Sequence, residues 1–209
     1  KDAKKWSWLA LIFLFTLLIG SSYAFFNDMS PQWIVEQQLM HAGEMSAAER
    51  DAATEMIEQT AQYTGLLGGI FATVFQVIIT ALLAGYFMLV GKFTAAKLPD
   101  FRYGDWFSFS IWTQMPLLVS TLGFIALFMT ASTADLSITL ANYASVNQLM
   151  LGLEPGSPLY TWAESLNLFY IWSIAITATG LQHCCQMPVI KSTLLAAAPY
   201  AAVFGLWFV

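Results

Sequence analysis

The amides of Gln76, Gln114 and Asn167 lie inside long apolar runs of the sequence. An amide left unpaired in hydrocarbon is unfavourable by several kcal/mol, so each of these groups must face protein or water. They have two possible uses. One is to tie helices together, at about 0.5–2 kcal/mol for each hydrogen bond within a membrane. The other is to line a polar path for a lipid head group or a small solute. Hydroxyls accompany them: Thr73 and Thr80 near Gln76, Ser110 and Thr113 near Gln114, and Ser173, Thr177 and Thr179 after Asn167. Pro116 lacks a backbone donor and predicts a kink just past Gln114, with Thr113 placed to satisfy an exposed carbonyl. Pro199 predicts a second kink. Gln76, Thr113, Gln114, Pro116, Asn167 and Trp172 are the candidate residues for a polar path or for interhelical contacts.

Other chemistry is thinner. His183-Cys184-Cys185 offers soft ligands, but a zinc site takes about four, and His41 falls on the other side of the membrane in the topology below. The run reads as small side chains at a helix end, and no metal or cofactor is expected. Glu49, Asp51, Glu55 and Glu58 read as a solvated face rather than a metal or docking site. No G-x-S-x-G, H-E-x-x-H, Walker A or C-x-x-C pattern occurs. Ionisable residues avoid the middle of every apolar run, with Glu164 and Lys191 at edges, whereas proton relays require such a charge. No catalytic residue and no enzymatic activity are expected.

The elements that must position these groups follow from composition. Of 209 residues, 58% are apolar and 10% charged, against about a quarter charged in a soluble domain. The chain reads as one polytopic membrane domain, and its net charge of -5 gives no basic surface for nucleic acid. A membrane-crossing helix needs about 20 apolar residues. Five stretches qualify, at about residues 6–26, 64–90, 106–130, 162–182 and 189–209. Lys1, Lys4 and Lys5 before the first run, and Ser22-Tyr23-Ala24 at its end, also fit a cleaved signal peptide. The run is longer than such a core usually is, and it is read as a retained span.

With the N-terminus cytoplasmic, Lys1, Lys4, Lys5, Lys92, Lys97, Arg102 and Lys191 fall inside and Arg50 alone falls outside. That bias fixes an N-inside, C-outside orientation. Two long outer loops result. In the first, Ser30-Pro31 starts a helix that Gly43 stops, and Ser46-Ala47-Ala48-Glu49 is a capping box starting a second. That second helix carries Ala48, Ala52 and Met56 on one face. In the other loop, Leu136, Leu140 and Tyr143 predict an interfacial or re-entrant helix within 134–153, ended by Glu154-Pro155-Gly156-Ser157-Pro158. The expected fold is all-α, with five transmembrane helices and an extracytoplasmic helical cap. Gly65-Leu66-Leu67-Gly68-Gly69 holds a G-x-x-x-G spacing that permits close helix packing and hints at a homo-oligomer.

Three segments carry a family resemblance. Phe101-Arg102-Tyr103-Gly104-Asp105-Trp106 leads into Ile111-Trp112-Thr113-Gln114-Met115-Pro116. Ser165-Leu166-Asn167-Leu168-Phe169-Tyr170-Ile171-Trp172 is followed by Gly180-Leu181, and a span rich in small residues closes the chain. Together they resemble the Ypt-interacting protein (Yip) domain family in its bacterial branch. The resemblance implies a five-span bundle, in a bacterial inner membrane, with no catalytic residues. Eukaryotic members are linked with small Rab-type GTPases, vesicle traffic and hetero-oligomers. The expected function is that of a scaffold or adaptor binding membrane proteins or lipids, with a passive lipid scramblase or small-solute channel as the alternative. Trp112 and Trp172 are expected inside the bundle or near its interface.

Overall fold

The computed structural model describes residues 2–42, 45–94 and 100–208. Their regular structure is helical: α1 Asp2–Asn27, α2 Pro31–His41, α3 Ala47–Thr60, α4 Thr64–Thr94, α5 Tyr103–Thr113, α6 Met115–Met129, α7 Tyr160–Ser165, α8 Phe169–Cys185 and α9 Val189–Phe208. Among the described residues, four helical stretches are long and apolar enough to cross a membrane: Lys5–Asn27, Ala47–Thr94, Tyr103–Met129 and Val189–Phe208.

Local chemistry accounts for the helix starts. Ser30 caps α2 through its hydroxyl, which accepts from the Trp33 N–H, and Pro31 fills the first helical position. Ser46 and Glu49 form a reciprocal capping box on α3. The Ser46 hydroxyl and backbone N–H hold the exposed Glu49 carboxyl below its ordinary range. The expected stop at Gly43 lies outside the described residues; Ala42 is the C-cap of α2.

Two expectations are corrected. The expected span at 162–182 is not one helix. It divides into α7, an extended Leu166, and α8 of 17 residues. The Val146 N–H donates to the Leu166 carbonyl at 2.8 Å, and Ser145 pairs with Asn167 in a β-bridge, so the backbone there bonds across the chain and not along a helix. The expected helix within 134–153 is instead a 3₁₀ turn at Ile138–Asn142 and a wide turn at Asn147–Leu151, which Gly152 ends at φ 59°. Leu136, Leu140 and Tyr143 still pack inward, around Phe25 and Phe124. Pro199 lies inside α9.

The chain forms two compact units, each built from separate segments. The first comprises Lys1–Phe15, Val74–Val119 and Leu168–Val209. Its core holds Phe87, Trp106, Leu181 and Cys185. Phe109 meets Phe87 and Trp106 edge to face, with ring centroids 5.5 and 5.7 Å apart. Gly91 and Gly180 make room for these rings, since a Cβ on either would lie 2.5 Å from Trp106 or 2.4 Å from Phe109. The second unit comprises Thr16–Thr73 and Ser120–Asn167. Its core holds Phe25, Met29, Ile34, Ala61 and Phe124. Charge divides with the units. The segments of the first carry seven of the eight basic residues, and those of the second carry all but Asp2, Asp100 and Asp105 of the thirteen acidic ones.

Candidate functional site

In the first unit, the break between α5 and α6 builds a polar cluster. A helix running through Pro116 would leave the Trp112 carbonyl without its donor and drive the proline ring against it. The chain instead turns at Gln114, whose N–H reaches back to Ile111 at 3.2 Å. The Ser110 carbonyl accepts from the Thr113 hydroxyl at 3.1 Å and from the Gln114 side-chain amide at 3.0 Å. The Thr113 hydroxyl thus helps to satisfy the carbonyl of Ser110.

Gln114 is the hub of this cluster. Its Oε1 accepts from Gln76 Nε2 at 2.5 Å, and its Nε2 also donates to Thr80 Oγ1 at 3.1 Å. Thr80 in turn donates to the Gln76 carbonyl, one turn earlier on α4, at 2.7 Å. Both N–H groups of Gln114 and one lone pair of its oxygen are therefore engaged. Gln114, Thr80, Thr113 and Ser110 are all buried, and Ser110 Oγ is buried with no hydrogen-bond partner among the described residues. The arrangement clamps α4 to the α5–α6 corner.

The other candidates lie elsewhere. Pro116 is fully buried just beyond the hub. Trp172 is 48% exposed and stacks on Phe169 of its own helix. Asn167 is not in a helix but in the bridge with Ser145, within the second unit. Trp112 donates from Nε1 to the Ser7 hydroxyl at 2.9 Å, and Ser7 is paired with Ser108. Cys185 is buried in the core of the first unit. Among the described residues no three His, Cys, Asp or Glu side chains gather as a metal site.

The second unit holds a constellation that the sequence reading missed. The Glu164 carboxylate, on α7, is 7% exposed. It accepts from Asn147 Nδ2 and Gln148 Nε2, each at 3.1 Å, and from Ser145 Oγ at 3.4 Å. One turn earlier, the Tyr160 hydroxyl lies 3.1 Å from His41 Nε2, and His41 Nδ1 lies 2.7 Å from the Gln37 carbonyl. The carbonyl can only accept, so Nδ1 carries a proton, and in the neutral ring Nε2 accepts from Tyr160. Burial, then the Glu164 charge, pushes the Tyr160 phenol above its ordinary range and keeps it a donor. The available signal was the spacing of Tyr160 and Glu164 on one helical face, beside the polar run Ser145 to Gln148.

This constellation fixes the loop ahead of α7. Glu164→Leu strands three donors, and at about 1 kcal/mol for each, the low end for a group left unpaired, the loss is about 3 kcal/mol. The expected outcome is a midpoint of thermal unfolding in detergent lowered by about 6–12 °C. Glu164→Gln, which keeps one acceptor oxygen, is expected to fall between.

The Yip1 domain family model matches residues 1–209. Comparison with curated proteins and with solved structures finds no match to either.

Proposed function

The chain belongs to the Yip1 domain family, and on that premise we propose that it is a non-enzymatic integral-membrane scaffold or adaptor that binds other membrane proteins or lipids. The observation that carries this reading is the use made of its buried polar groups. Gln76, Thr80 and Gln114 bond to one another, and Glu164 bonds to Ser145, Asn147 and Gln148. These groups hold helices and loops in place.

The outer face of α4 supports the membrane setting. Phe71, Phe75, Ile78, Leu82 and Leu89 recur at helical spacing, and each is at least half exposed. Such a face suits hydrocarbon. We further propose five crossings in a bacterial inner membrane, with the N-terminus cytoplasmic. In that topology Lys92, Lys97, Arg102 and Lys191 join the N-terminal lysines inside and Arg50 alone falls outside, which supports the orientation. α8 is one of the five; its 17 residues reach ~25 Å, short of a ~30 Å hydrocarbon core. α2, α3 and the 130–165 region would then form the extracytoplasmic cap.

The Ser110 hydroxyl, without a partner among the described residues and beside the helix break, favours a second reading, a passive conduit for lipid or small solute. Flux through proteoliposomes separates the two. The scaffold reading expects lipid scrambling and solute leak no faster than in protein-free vesicles. Flux above that background, abolished by Gln114→Leu in folded protein, would overturn it.

A further inference from the structure

A groove of about 330 Å³ opens in the first unit, between the first turns of α1 and those of α5. That volume sits at the small end of the range for ligand pockets, with room for part of a chain-like ligand. Trp8, Tyr103, Phe107 and Ile111 give it apolar walls. Ser7 and Ser108, which also line it, are paired with each other, so their polarity is already satisfied.

Two features say what fits there. The first is depth. Lys5–Asn27 and Tyr103–Met129 are both long and apolar enough to cross a membrane, and the groove lies at the start of each. A groove at the ends of two spans opens at head-group level, where Trp and Tyr concentrate. Trp6, Trp8 and Tyr103 are all exposed there. The second is charge. Lys5 lies one helical turn before Trp8, and Arg102 directly precedes Tyr103, both exposed. Asp105, the carboxylate on this turn of α5, keeps its charge while it accepts from the Arg102 backbone N–H at 2.9 Å as part of the helix cap.

We propose that this groove is a binding site for one anionic glycerophospholipid, with part of an acyl chain against Trp8, Phe107 and Ile111 and the phosphate within reach of Lys5 and Arg102. The proposal rests on the scaffold reading and names its lipid. A zwitterionic lipid would fill the apolar part equally well but would carry no net charge to the cations. Each cation near the head group favours the anionic lipid about fivefold.

The test uses the full chain in nanodiscs of equal phosphatidylglycerol and phosphatidylcholine, released for native mass spectrometry. The wild type is expected to retain one phosphatidylglycerol, enriched about fivefold or more over phosphatidylcholine. The Lys5→Gln/Arg102→Gln double variant, changed at exposed positions, is expected to lose the enrichment. Gly104→Leu, which places a side chain in the groove, is expected to lose retention of both lipids. Equal retention of the two lipids by the wild type overturns the site, as does enrichment that survives in the double variant. If Gly104→Leu does not fold, the double variant decides. A chain with no lipid preference that still carries a stoichiometric protein from its own membrane loses this site and keeps the scaffold reading.

Discussion

Gly69→Leu is expected to abolish recovery of folded protein. The backbones of α1 and α4 meet within the second unit, where a Cβ on Gly69 would lie 2.7 Å from Ile19 Cα. One turn earlier, a Cβ on Gly65 would lie 2.8 Å from the Ser22 carbonyl oxygen. The Ser22 hydroxyl donates to the Gly65 carbonyl at 2.8 Å and fixes the approach. The obstacle is backbone, which cannot turn aside as a side-chain tip can. Overpacking a well-filled site costs about 1–3 kcal/mol and more where nothing yields, and the gap here is too small for any side chain. Less than about a tenth of the wild-type yield of monodisperse protein is expected in gel filtration. Gly85→Ala is the control, since nothing lies within 4 Å of its Cβ, and it is expected to fold normally. Recovery of Gly69→Leu at wild-type yield and melting temperature would refute the packing. The G-x-x-x-G spacing is thus used within the chain, between α4 and α1.

Gln114→Leu is the second large effect. It removes the acceptor of Gln76 Nε2 and the donor to Thr80 and to the Ser110 carbonyl. Each bond is worth about 0.6–2 kcal/mol in a membrane, and each stranded group costs about 1–3 kcal/mol. The expected loss is about 3 kcal/mol, read as a fall of about 6–12 °C in unfolding temperature. Removing both partners avoids stranding one of them. Gln76→Leu/Gln114→Leu is therefore expected to be less destabilised than the sum of the single variants by about 1 kcal/mol or more. Strict additivity would show that the two amides do not meet.

These two predictions differ in how far the sequence foretold them. The glycine spacing, the capping residues Ser30, Pro31, Ser46 and Glu49, and the runs that became α1, α4 and α9 were readable, because each depends on neighbours within a few residues. The turn at Gln114 was readable too, since Pro116 forces it. Its hydrogen-bond partner was not, because Gln76 is 38 residues away and only the fold chooses between Gln76 and any other amide. The break before α8 escaped for a related reason. Leu166 and Leu168 are apolar, so hydropathy runs through them unbroken, while the pairing of Leu166 with Val146 and of Asn167 with Ser145 interrupts the helix from outside. Glu164 looked like a residue at a span edge. Its partners lie 16 to 19 residues earlier, in a loop whose turns follow no helical period.

In the proposed role, this Yip1 domain protein holds other membrane proteins or lipids. Native mass spectrometry of the chain, extracted gently from its own membrane, tests it most directly. The expected mass exceeds that of the chain by a stoichiometric protein, or by a defined number of lipids of one class. A bare chain under conditions that keep it folded, with neither protein nor selected lipid attached, would contradict it.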